Sequence, residues 1–116
     1  MIIEYEDYGI YDGEVNEKGN PHGHGRLTFV DTGYYDGEFK DGAMHGYGIM
    51  VYAEDEDYEG YFVENEMHGH GKMRYPSGLI EEGEWAEGFT VERTIKRTRA
   101  TENDLASIVF GGQKQD

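Results

Sequence analysis

An all-β fold, a single-layer antiparallel meander of β-hairpin repeats, is predicted by three features of this chain. A short pattern recurs at fixed spacing, apolar and polar residues alternate within each recurrence, and turn residues separate the alternating runs. His22-Gly23, His45-Gly46 and His68-Gly69 follow one another at 23-residue intervals. Gly13, Gly37, Gly60 and Gly83 keep nearly the same step, with one extra residue in the first unit near Asn16 to Lys18. A fixed period of this length marks a stack of one supersecondary unit.

Taken in order, Ile3-Glu4-Tyr5 stands where Leu27-Thr28-Phe29 stands one unit later, so the chain opens on half a repeat. Successive strand residues point to opposite sides of a sheet. In the first strand of each hairpin one face therefore carries Tyr11, Gly13 and Val15, then Tyr35, Gly37 and Phe39, then Tyr58, Gly60 and Phe62, and last Gly83 and Trp85. The second strands are expected to give that face Gly23, Gly25, Leu27 and Phe29, then Gly46, Gly48, Met50 and Tyr52, then Gly69, Gly71, Met73 and Tyr75. Rings interleave with glycines there, and a glycine leaves room for a neighbouring ring to cross the backbone. Two rows, Ile3/Leu27/Met50/Met73 and Tyr5/Phe29/Tyr52/Tyr75, form the expected hydrophobic stripe. Turns within a unit are glycine-centred, as at Lys18-Gly19-Asn20 and Asp41-Gly42-Ala43, whereas those between units are acidic, Glu54 to Asp57, or read Pro76-Ser77-Gly78.

Residues 1–88 are expected to form the repeat domain and 89–116 a cap, because an open meander leaves two unpaired edges. Phe89 to Ile95 alternates and is expected to add a last strand. Beyond it, Thr101 to Asp104 offers an N-cap with early acidic residues, Leu105, Ile108 and Val109 share one helical face, and Gly111-Gly112 stops it. A short C-terminal capping helix is the expectation, closing the hydrophobic face at its end.

The motif Tyr35/Gly37/Phe39/Gly42/His45/Gly46/Gly48 resembles the MORN repeat at every position. Tyr58/Gly60/Phe62/His68/Gly69/Gly71 follows it with Asn65 in place of the turn glycine, and the first unit departs at Val15. The fourth unit keeps Gly83, Trp85 and Gly88 but has Glu81 for the tyrosine. The resemblance covers roughly residues 1–88 and implies a run of β-hairpins serving as a binding or scaffolding module, with membrane association in some members.

Composition narrows the function classes. With 25 acidic against 10 basic residues the formal net charge is −15, which repels phosphate backbones and anionic headgroups. Direct nucleic-acid binding and docking to an anionic membrane are therefore disfavoured. An acidic decoy occupying a basic nucleic-acid-binding protein, or a phospholipid-binding module, is kept as the alternative function. Absence of cysteine excludes disulfides and thiolate chemistry. The sequence starts without a basic and apolar leader, and a cytoplasmic address is expected.

No catalytic constellation and no cofactor motif is found; carboxylates are abundant everywhere, so a pair of them is no sign of acid/base chemistry. His22/His24 and His68/His70 each put two rings on one strand. Neighbouring hairpins place equivalent histidines roughly 9–10 Å apart, too far to share one ion, so a polar role near the turn is preferred to a metal site. The groove expected to receive an apolar peptide or helix is Tyr11, Tyr35, Phe39, Tyr58, Phe62 and Trp85, with Leu27, Met50 and Met73. On the opposite face Tyr47, Ile49, Val51, Tyr61 and Val63 replace the charged residues of other units and mark an outer contact cluster, met either by a partner or by the chain's own tail. The basic run Arg93, Lys96, Arg97 and Arg99 is expected to pair with the acidic sheet, in the same or another copy. The chain is read as a non-enzymatic protein-interaction or scaffolding module with a protein partner, a homodimer being one possibility.

Overall fold

A computed structural model describes residues 1–100. Ten strands form one antiparallel sheet: β1 (Ile2–Tyr5), β2 (Gly9–Val15), β3 (Pro21–Phe29), β4 (Tyr34–Lys40), β5 (Ala43–Ala53), β6 (Glu56–Val63), β7 (Glu66–Arg74), β8 (Leu79–Ala86), β9 (Phe89–Thr90) and β10 (Lys96–Arg99). β1 to β8 lie side by side in sequence order, and β9 and β10 share the far edge of β8. The meander expected from the alternation is thus the fold.

Register explains how one layer of sheet builds a core. Gly13, Gly25, Gly37, Gly48, Gly60, Gly71 and Gly83 pair successively across seven strands, a rail of bare backbone running across the array. Beside it Ile3, Tyr11, Leu27, Tyr35, Met50, Tyr58, Met73 and Glu81 form a second row. Each tyrosine of that row folds down over the rail: a Cβ on Gly25 would strike the Tyr11 ring, one on Gly48 the Tyr35 ring, and one on Gly71 the Tyr58 ring. The hydroxyls then donate to backbone carbonyls three residues ahead, Tyr35 to Glu38 at 2.8 Å and Tyr58 to Tyr61 at 3.0 Å, with Tyr11 to Glu14 alike. Phe39, Phe62 and Trp85 fill the spaces between, so that Tyr11, Phe39, Tyr35, Phe62, Tyr58 and Trp85 meet edge to face at 5.0–5.3 Å. Such contacts add about 0.5–1.5 kcal/mol each beyond their buried area.

A bulge accompanies every complete hairpin. Between Gly37↔Gly48 and Phe39↔Met44, the three residues His45, Gly46 and Tyr47 oppose Glu38 alone. Gly46 takes φ +100°, where a side chain is strained. The Glu38 carboxylate accepts the Tyr47 backbone N–H at 2.6 Å, and Glu14 does the same for His24. These bonds satisfy donors that the bulge removes from the ladder.

The turns also stack. Gly42 N–H donates to Pro21 O, Asn65 N–H to Met44 O and Gly88 N–H to Met67 O, each at 2.8–3.0 Å, so each tip after the first hangs on the unit before it. His22 Nδ1 accepts the Asp41 N–H at 3.2 Å and His68 Nδ1 the Glu87 N–H at 3.4 Å. At the third tip Glu64 and Asn65 both adopt positive φ without any glycine. Asn65 tolerates this, and its Oδ1 accepts the Met44 N–H at 2.9 Å.

The far end differs from the expected continuous strand. The strand expected over Phe89 to Ile95 is broken: β9 stops at Thr90, a 3₁₀ turn spans Glu92–Thr94, and pairing resumes at β10. Gly83 gives the reason, since its rail partner is missing and Thr94 and Ile95 close over it instead. The expected capping helix over Thr101 to Gly112 lies outside the described residues; among those described, the 3₁₀ turn is the helical element. Of the basic run, Arg97 ion-pairs with the acidic sheet, its Nε reaching Glu81 at 2.7 Å and its Nη2 reaching Glu92 of the 3₁₀ turn at 2.8 Å, while Arg99 donates to the Ser77 carbonyl at 2.6 Å and Lys96 stands opposite Glu82 in register.

Gly48→Ala is expected to lower stability by about 1–3 kcal/mol, because the new methyl meets a buried ring with nowhere to go; a urea midpoint within error of the parent would remove the ring-over-rail account. Asn65→Ala should destabilise more than Asn65→Gly in the same assay. Glycine loses only the bond to Met44, whereas alanine adds roughly 1–2 kcal/mol of left-handed backbone strain.

Candidate interaction surface

The groove residues converge on one face as expected, but they do not form an open groove. Tyr11, Tyr35 and Tyr58 are 0% exposed, and Phe39, Phe62, Trp85, Met50 and Met73 are also buried; Leu27 is half-buried. The rings are spent on one another and on the glycine rail, so direct partner contact through these aromatics is corrected to a core role. What remains open on this face is the half-buried rim Tyr5, Phe29, Tyr52 and Tyr75. A shallow pocket of about 420 Å³ lies at its end, walled by Tyr8, Phe29, Met50 and Tyr52 among others.

Glu81 shows how the inner face ends. It occupies the row position of the three tyrosines and is buried, held by the Tyr75 hydroxyl at 2.6 Å and by Arg97. Burial, and then this bond, push the Tyr75 hydroxyl up to about 12.

The outer face is a charge ladder with one break. Asp12, Arg26, Asp36, Ile49, Glu59, Lys72, Glu82 and Lys96 stand side by side across the sheet, opposite charges alternating except at Ile49. Arg26 pairs with Asp36 at 2.9 Å while its guanidinium lies 4.2 Å above the Tyr34 ring. Asp36 also meets His24, at 3.0 Å. Arg74 pairs with Asp57 at 2.6 Å and reaches Glu59 at 3.5 Å, and His70 lies between Glu82 and Glu84.

At the break the expected outer cluster assembles. Tyr47 and Tyr61 are direct cross-strand partners, their rings 5.4 Å apart, and Ile49 and half-buried Val51 continue along β5. Tyr47, Ile49, Tyr61 and Val63 remain 41%, 37%, 49% and 39% exposed among the described residues. Tyr34, opposite Val51, extends the patch onto β4. Sequence alternation alone does not find it; the β4–β5 register does. The Glu59 carboxylate accepts the Tyr47 hydroxyl, and that bond, with some burial, raises Tyr47 to about 12. Tyr61 sits where Glu14, Glu38 and Glu84 sit in the other units.

Among the described residues no three His, Asp or Glu side chains converge to hold a metal ion. His22 faces the next turn while His24 faces Asp36, so the bulge at Gly23 divides the pair. Nor does any helix among the described residues reach the length and apolarity needed to cross a membrane.

The profile of the MORN repeat matches residues 11–34, 35–55 and 58–80, more than half the chain. The chain belongs to the MORN-repeat family. MORN repeats generally serve in protein or membrane-lipid interaction, in keeping with a non-enzymatic role. A similar protein is the MORN repeat-containing protein 4 homolog of Drosophila melanogaster, 50% identical over 38 residues. That match takes in 33% of this chain and 19% of the relative, so the likeness covers a limited stretch of both.

Tyr47 and Tyr75 hold their protons up to about 12, against an ordinary tyrosine value of about 10 in the unfolded chain. Burial raises Tyr35 and Tyr58 as well. Because the folded state binds these protons more tightly, their contribution is complete below about pH 10 and is lost as pH rises through the folded values. The urea midpoint should therefore fall between about pH 10 and 12, and Tyr47→Phe should make that fall shallower. A flat profile would contradict the hydrogen-bonded assignment.

Proposed function

We propose that this MORN protein is a non-enzymatic interaction module that receives an apolar segment of a partner protein on the outward patch around Tyr47, Ile49, Tyr61 and Val63. One observation carries the reading: this is where the outer face leaves charged residues for exposed aromatic and aliphatic ones, next to a closed inner core. Tyrosines give large contact area with little side-chain entropy to lose, which suits them to binding surfaces. Family membership supports an interaction role in general, and the net charge of −15 favours a protein over an anionic membrane as partner. A second copy of this chain is one candidate partner, and a cytoplasmic address goes with the reading.

The 420 Å³ pocket beside Phe29, Met50 and Tyr52 supports a second reading, in which the apolar segment lies along the inner rim. Two substitutions separate them. Tyr61→Glu restores the residue of the other units and should preserve the fold; Tyr52→Ser alters the rim only. Cross-linking to a captured partner is expected to weaken by at least about tenfold in Tyr61→Glu and to persist in Tyr52→Ser. The reverse pattern moves the site to the inner rim, and indifference to both changes rejects either face.

A further inference from the structure

Resting on the outward-patch reading above, we propose that the occupant is a basic segment of a partner protein. Its arginine or lysine side chains enter the break over Ile49 between Asp36 and Glu59, and its apolar residues lie on Tyr47 and Tyr61.

The register argues for a missing cation. Arg26 stands between Asp12 and Asp36, and Lys72 between Glu59 and Glu82, but Ile49 stands between Asp36 and Glu59. Two carboxylates thus flank an apolar side chain where the neighbouring units supply a positive one. Arg26 at 2.9 Å and the His24 ring at 3.0 Å hold the two oxygens of Asp36, and Glu59 accepts from Tyr47 while Arg74 approaches it at 3.5 Å, so a partner cation would add to contacts the chain already makes. Like charges left facing across a row repel, and a partner cation placed between them relieves that repulsion as well as gaining attraction.

The sheet already displays the recognition it would use. One unit earlier, Arg26 lies over the Tyr34 ring at 4.2 Å and donates to Asp36 at 2.9 Å, a guanidinium held by a ring face and a carboxylate together. Tyr47 and Tyr61 with Glu59 offer the same combination around Ile49, and among the described residues no arginine is stacked over either ring, although Arg74 approaches Glu59 from the side. A 220 Å³ recess lies beside the break rather than over Ile49, lined by Tyr47, Glu59 and Tyr61 on one side and by His70, Lys72 and Glu82 on the other. The overall charge of −15 adds long-range attraction for any basic segment.

The test uses the full chain with backbone amide NMR, titrated with a pool of short peptides that alternate Arg or Lys with Leu or Val. A matched pool with Asp or Glu, and anionic phospholipid vesicles, run alongside. The basic pool is expected to shift the amides of β5 and β6 around Tyr47, Ile49 and Tyr61, binding at least about tenfold more tightly than the acidic pool and weakening in salt. Ile49→Lys, which supplies the cation in cis, should reduce that binding by about tenfold, while Ile49→Leu retains it. Should both pools bind alike at the patch, the basic occupant is wrong and the patch reading survives. Shifts confined to the inner rim, or none with any pool, overturn both. Vesicles binding through the same residues would replace the protein segment with a lipid surface.

Discussion

A tyrosine ring lying flat across two facing glycines is the contact on which this array depends. A single sheet has no second layer to bury its apolar face, and here the rings of Tyr11, Tyr35 and Tyr58 act as that layer by folding along the sheet instead of standing off it. They can do so only because the rail beneath them carries no Cβ. Hydroxyl bonds to the backbone three residues ahead fix each ring's direction, and Phe39, Phe62 and Trp85 then find complementary edges. Each unit therefore completes its core with a ring from the next, the nearest-neighbour dependence that defines repeat arrays.

This dependence creates a problem at the end of the array, and Glu81 is where the chain meets it. A fourth tyrosine would have found no following glycine pair to cover. In its place a carboxylate takes bonds from Tyr75 and Arg97, and Thr94 and Ile95 close over the last rail glycine. A buried carboxylate needs such partners to offset its desolvation. Edge strand β10, exposed at all four residues, is thereby tied to the sheet by charge where packing is thin.

Packing demands on the inner face leave the outer face free to vary. Arg26, Ile49 and Lys72 are one position in three units, as are His24, Tyr47 and His70, and as are Glu14, Glu38, Tyr61 and Glu84. Departures at all three positions fall together around β5 and β6, and each replaces a charged or ionisable group by an apolar or phenolic one. Their coincidence in space, with a carboxylate on either side of Ile49, is what gives the patch its chemical character.

The period, the alternation and the turn chemistry determined the meander and which residues share a face, since these follow from local rules that operate within one hairpin. The sequence also singled out Tyr47, Ile49, Val51, Tyr61 and Val63, because substitutions at equivalent positions are visible once the units are aligned. It did not reveal that the aromatic groove would close on itself, that Glu14 and Glu38 satisfy the bulges, or that Tyr34 joins the outer patch. Those depend on cross-strand register and ring orientation, which bring together residues from separate units. Side-chain alternation assigns a residue to a face; only the packed sheet decides whether a ring on that face stands open to a partner or lies down over its neighbour's glycines.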